Sequence, residues 1–183
     1  LGNPDAPVTV VEYASVTCGH CATWHETVWP EFNDKYVKTG KVRYVFRPFP
    51  AGNAQLANAG HLLANCAGDD KFFTMIGVQM KRQRQILSSG SKVKAQYVAL
   101  AKSAGMSEAD FDACMTNQDQ IDKLTAVTDA GTNAGVTGTP TFFVNGKKYN
   151  TDEAFFVKDF DKIIGPLLGE PVSDDTADTK AEN

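Results

Sequence analysis

Between residues 53 and 134 the chain has no proline and few β-branched residues, while both flanks are built from strand-like text. That contrast limits the fold more than any other feature, because helices must fill the middle and strands must come from the two ends. At the front, VTVVEYA (8–14) alternates β-branched and other residues after Pro7 and reads as a strand. From Cys18 the pattern becomes helical, with Cys21, Trp24/His25, Val28, Phe32 and Tyr36 on one stripe. Pro30 should kink or restart that helix, and Gly40 should stop it. KVRYVFRPFP (41–50) is a second strand. Helices are expected near 53–65, 69–87, 92–104, 107–115 and 118–134. TPTFFVNGKKYN (139–150) then reads as two short strands around Asn145-Gly146, a strong hairpin signal. An amphipathic helix over 152–168, with Phe155, Phe156, Phe160, Ile163, Ile164 and Leu167, closes the pattern. The order implies an α/β layer whose first two strands run parallel and whose hairpin adds an antiparallel part.

The net charge of −4 is local: from Gly169 to Asn183 there are five acids and one lysine, and the remainder carries 17 acids and 17 bases. The acidic tail is expected to be disordered. The neutral globular part argues against nucleic-acid binding. No run of apolar residues is long enough for a transmembrane helix. Leu1-Gly-Asn-Pro-Asp is neither an initiator Met nor a signal sequence, so export is not read from it.

Cys18 and Cys21, separated only by Gly19 and His20, stand at the junction of the first strand and helix. Helix-terminal N–H groups favour an anion there, which lowers a thiol pKa and makes a good nucleophile and leaving group. His20 adds a donor or a charge beside the first sulfur, and Cys21, one turn deeper, can close the ring. Stabilising the reduced form makes the disulfide form more oxidising. A zinc site would need a second ligand pair, although Cys18, Cys21 and His25 could form a three-ligand set. A purely structural bridge over so short a loop would constrain the unfolded chain little.

Cys18-Gly19-His20-Cys21 after a strand, Gly138-Thr139-Pro140-Thr141-Phe142-Phe143-Val144-Asn145-Gly146 before the last helix, and the helical block between them resemble the DsbA family of thiol:disulfide oxidoreductases in the thioredoxin superfamily. The likeness runs over residues 1–168. It implies a thioredoxin fold with a mixed β-sheet and an inserted helical domain. Residues 1–50 and 135–168 would form the thioredoxin-like part, 51–134 the insert with its connecting helix, and 169–183 the tail. By the same resemblance Cys18 is the exposed nucleophile, Cys21 the buried resolving thiol, and Pro140 a cis proline beside which Thr139 pairs with extended substrate. Glu12 matches the acid beneath the active site, where a buried carboxylate can relay the resolving thiol's proton. Cys66 and Cys114 match a second pair that forms a disulfide; as residues alone they read equally as small buried hydrophobes.

The activity implied is donation of the Cys18–Cys21 disulfide to unfolded or reduced exported proteins in the periplasm, the signal peptide being absent from this chain. A membrane re-oxidising partner of DsbB type is implied, with no metal or organic cofactor and a monomeric state. Gly19-His20 and Thr139 are also familiar from disulfide isomerases, which keeps isomerase or reductase activity as the alternative. A non-catalytic metal-binding module of this fold is the competing class. His61, Trp24 and the Phe142–Phe143 pair read as packing residues, and KRQRQ (81–85) as a solvated face.

Overall fold

Alternating burial along β1 (Val8–Ala14) places Val8, Val10 and Glu12 on an inward face, as the period-2 pattern requires. In the computed structural model, which describes residues 1–170, β1 pairs in parallel with β2 (Val42–Pro48), from Val8↔Val42 to Ala14↔Pro48. A parallel pair needs a crossover, and the helical run after Cys18 supplies it. Pro30 restarts that run rather than bending it: α1 (Gly19–Thr27) ends, and α2 (Trp29–Phe32) begins with the proline in its first turn. There the missing N–H costs nothing. A π-helical turn over Asn33–Val37 leads to Gly40, whose positive φ of 75° reverses the chain.

On the other side of β1 lies β3 (Thr141–Val144), antiparallel, followed by β4 (Lys147–Tyr149), giving the sheet order β2-β1-β3-β4. The β3–β4 turn has φ of 46° at Asn145 and 84° at Gly146, the two positive values a tight hairpin asks for. Asn145 Oδ1 also accepts from the Thr9 N–H at 2.8 Å, tying the turn to β1.

The insert comprises α3 (Ala54–Cys66), α4 (Phe72–Lys81), α5 (Gln83–Leu87), α6 (Val93–Ser103), α7 (Glu108–Met115) and α8 (Gln118–Asn133). The single helix expected over 69–87 is therefore two, because Arg82 (φ −98°, ψ 9°) leaves helical geometry between α4 and α5. Start signals acted where expected: Ser107 Oγ accepts from Asp110 N at 3.1 Å while Asp110 Oδ2 accepts from Ser107 N at 2.8 Å. Cys66 and Cys114 are joined by a disulfide linking α3 to α7. Closing a loop of 48 positions restricts the unfolded chain by about 4 kcal/mol in the entropic account.

The final helix, α9 (Val157–Leu167), starts later than residue 152 because Asp159 Oδ2 accepts from Phe156 N at 2.9 Å and caps it there. Phe155 and Phe156 consequently precede the helix. Phe160 and Ile164 fill the core with Trp24, Phe32, Tyr44 and Phe142, with ring centroids 5.0 Å apart for Trp24–Phe142 and for Phe142–Phe160. Trp24 is fully buried and its Nε1 donates to the Phe155 carbonyl at 2.9 Å. Of the expected acidic tail, Gly169 and Glu170 stay with the domain, Glu170 pairing with Lys41 at 2.7 Å. Residues 171–183 lie outside the described ones. Among the described residues no helix is long and apolar enough to cross a membrane.

Candidate active site

Where β1 ends, the Ser15–Thr17 turn lifts the chain off the sheet, and Cys18 takes the N-cap position of α1 with extended backbone (φ −87°, ψ 122°). The turn is held from several sides. Cys18 N donates to the Ser15 carbonyl at 3.1 Å, Ser15 Oγ donates to the Ala51 carbonyl at 3.1 Å, and Thr17 Oγ1 donates to the same carbonyl. From the insert, the buried amide of Gln83 sends Nε2 to the Val16 and Cys18 carbonyls, each at 2.9 Å. Both partners are acceptors, so the orientation of that amide is settled by its environment.

Both sulfurs of the pair are free thiols, Cys18 half-buried and Cys21 fully buried. Cys18 Sγ lies 3.2 Å from the Thr139 carbonyl, and the Thr139–Pro140 peptide is cis. The Cys18 thiol is pulled from 9.0 down to about 5, first by the Cys21 side chain, with burial the next largest effect and opposing it, and then by the Thr139 side chain and the backbone N–H groups of Cys21 and His20. Cys21 goes the other way. Burial pushes its thiol well above the ordinary value, and Cys18 and the charge of Glu12 add to that. One sulfur is therefore held as thiolate and the other as thiol, one helical turn apart.

Glu12 is completely buried under the pair, from the inward face of β1. Its Oε2 accepts from the Tyr44 hydroxyl and lies 3.1 Å from His25 Nε2, while Oε1 has no partner among the described residues. Burial and the Glu12 charge push the Tyr44 hydroxyl well above its ordinary pKa, so it stays a donor. His25 stands four residues after Cys21 on the same helix, where it meets the carboxylate instead of the sulfurs. Among the described residues no cluster of three or more His, Cys, Asp or Glu has an arrangement suited to a metal ion. The His20 side chain is exposed and makes no hydrogen bond to Cys18, so the thiolate is served at this position by the backbone N–H. Cys66 and Cys114 lie in the insert, in a separate small cluster with Leu62 and Leu124.

Three residues around the pair were not singled out for this role in the sequence: His25 as the partner of Glu12, Tyr44, and Gln83. For His25 the i, i+4 spacing from Cys21 was a signal. Tyr44 sat on the inward alternation of β2, indistinguishable there from a core aromatic. Gln83 had no local signal, being one polar residue in a basic run.

A sequence model described as "Thioredoxin" matches residues 1–165. The chain belongs to the thioredoxin family. Within it the resemblance is to proteins of DsbA type. The "Putative protein-disulfide oxidoreductase" of Rickettsia conorii is 38% identical over 151 residues, 80% of this chain and 52% of that protein. The "Probable disulfide bond formation protein D" of Bacillus cereus is 27% identical over 167 residues, 90% of this chain and 77% of that one. The crystal structure of alpha-DsbA1 from Wolbachia pipientis superposes with a TM-score of 0.81 at 27% identity, covering 92% of this chain and 89% of that one. Against the Rickettsia relative the chain spans about half the length.

Proposed function

We propose that the chain is a thiol:disulfide oxidoreductase that donates the Cys18–Cys21 disulfide to exported proteins. The supporting observation is the opposed pair of sulfurs: a thiolate at Cys18 held down to about 5, beside a Cys21 thiol held up by burial and Glu12. Substrate thiolate attacks Cys18 Sγ, the Cys18–Cys21 bond breaks, and Cys21 leaves and takes a proton by way of Glu12 and His25. In the resulting mixed disulfide a second substrate thiolate attacks the substrate's own sulfur, and Cys18 departs as the stabilised thiolate. Two electrons have passed from the substrate dithiol to the enzyme. Because Cys18 is a good leaving group and Cys21 a reluctant nucleophile, the mixed disulfide resolves toward oxidised substrate.

Thr139, next to cis Pro140, offers its carbonyl within 3.2 Å of Cys18 and can pair with an extended substrate strand. The setting proposed is the periplasm, with a membrane partner of DsbB type restoring the disulfide, no metal or organic cofactor, and a monomeric enzyme. The deciding experiment is the redox potential of the Cys18–Cys21 pair in glutathione buffers, with parallel assays of dithiol-peptide oxidation and scrambled-substrate refolding. A strongly oxidising pair that forms disulfides in peptides supports donation. A potential near the roughly −270 mV of thioredoxin, with no peptide oxidation, overturns it.

A further inference from the structure

Along α1, starting from Gly19 next to Cys18 in the chain, a polar groove of about 760 Å³ runs between that helix and the α4–α5 corner of the insert. Gly19, His20, Thr23 and Glu26 line one wall, and Lys81 and Arg84 stand on the other. Among the described residues neither Lys81 nor Arg84 has an ion-pair partner. The groove is tied to the nucleophile, because Gln83, which also lines it, carries the two 2.9 Å hydrogen bonds to the Val16 and Cys18 carbonyls. A groove wall anchored in this way keeps its distance to the reacting sulfur as substrate arrives.

We propose that this groove is a substrate subsite that receives the chain flanking the target cysteine and favours flanks carrying Asp or Glu, whose carboxylates meet Lys81 and Arg84. The inference rests on the disulfide-donor reading and adds a substrate preference to it. A substrate cysteine bonded to Cys18 has its strand beside Thr139 on one side of the sulfur. Its continuing residues can then cross the first turn of α1, whose facing wall carries Lys81 and Arg84. Arg in particular binds a carboxylate in bidentate fashion.

The test compares three reduced dithiol peptides that differ only in having Glu, Gln or Lys in the residues after the cysteine. Each rate of reaction with the oxidised protein is divided by that peptide's rate with hydroxyethyl disulfide, a neutral reagent, to remove the charge's effect on the peptide thiol itself. At low ionic strength the Glu peptide should exceed the Lys peptide by about threefold to tenfold in kcat/KM, the scale of one or two exposed ion pairs. The difference should collapse at about 1 M salt. The double variant K81E/R84E, altered only at exposed side chains, should invert the order. Equal normalised rates in the unaltered protein, or a Glu preference that survives charge reversal, overturn the subsite while leaving disulfide donation standing. Failure to oxidise any of the peptides removes both.

Discussion

Acidification should weaken the reduced protein more than the oxidised one, because only the reduced form holds a Cys18 thiolate. With the folded thiol at about 5 and an ordinary one at 9.0, the thiolate-to-thiol ratio at pH 7 is about 100:1 in the folded chain and about 1:100 in the unfolded one. The folded pKa is depressed, so the stabilisation is complete above about 9 and is lost as pH falls through about 5. Between pH 7 and pH 5 the two units correspond to at most about 3 kcal/mol. Cys18 is half-exposed, and solvent screening reduces this to about 1–2 kcal/mol. Cys21 adds no slope in this window, since its raised thiol is protonated in both states there. Urea unfolding of the reduced and oxidised protein at pH 7, 6, 5 and 4 measures the difference, and thiolate absorbance near 240 nm locates the midpoint. The gap between the two forms should narrow from pH 7 to pH 5 and level off toward pH 4. A midpoint above pH 8, or a gap that does not change with pH, would refute the account of the thiolate and remove the driving force for disulfide donation.

Replacing Glu12 by Gln should lower the Cys21 pKa by removing the charge beside it, and should slow reduction of the oxidised enzyme by dithiol peptide by roughly a hundredfold, the scale of a lost proton relay; an unchanged rate argues that Cys21 takes its proton elsewhere. Gln83→Leu strands two carbonyls, costing about 1–3 kcal/mol in urea unfolding, and should raise the Cys18 midpoint because the amide no longer offsets the Cys18 carbonyl dipole. Lost stability with an unmoved midpoint would make Gln83 a structural residue alone. His61 is fully buried, among the described residues neither ring nitrogen has a partner, and burial pushes it from 6.5 down to about 3. The unfolded imidazole binds its proton first, so stability is full above about 6.5 and falls by about 1.4 kcal/mol per unit as pH drops toward 3. His61→Leu should flatten that slope in unfolding curves at pH 6, 5 and 4, and an unchanged slope assigns the acid sensitivity to other groups.

Much of the architecture was legible because its signals are local. The alternation of VTVVEYA, the two positive φ values required of Asn145-Gly146, and the Ser107 cap each depend on a few neighbouring residues. The errors fell where a single capping bond or a single backbone angle, neither marked by the residue pattern, decided the outcome. Arg82 broke a stretch that reads as one helix, and the hydrogen bond of Asp159 moved the start of the last helix past both phenylalanines. His20 reads as the thiolate's companion from its place between the cysteines, yet its side chain faces solvent and the neighbouring N–H groups serve the sulfur.

By itself the sequence determined the order of strands and helices, the placement of a two-cysteine pair at a helix start, and an acid on the inward face of the first strand, since all three follow from spacing along the chain. Only the tertiary structure decided the environment of each sulfur. Parallel pairing of β1 with β2 brought Tyr44 to Glu12, the rotation of α1 brought His25 to the same carboxylate, and packing of the insert set Gln83 on the Cys18 carbonyl. Those contacts join residues 13, 32 and 65 positions apart. Their energies depend on burial and on distances of about 3 Å, quantities that exist only once the chain is packed.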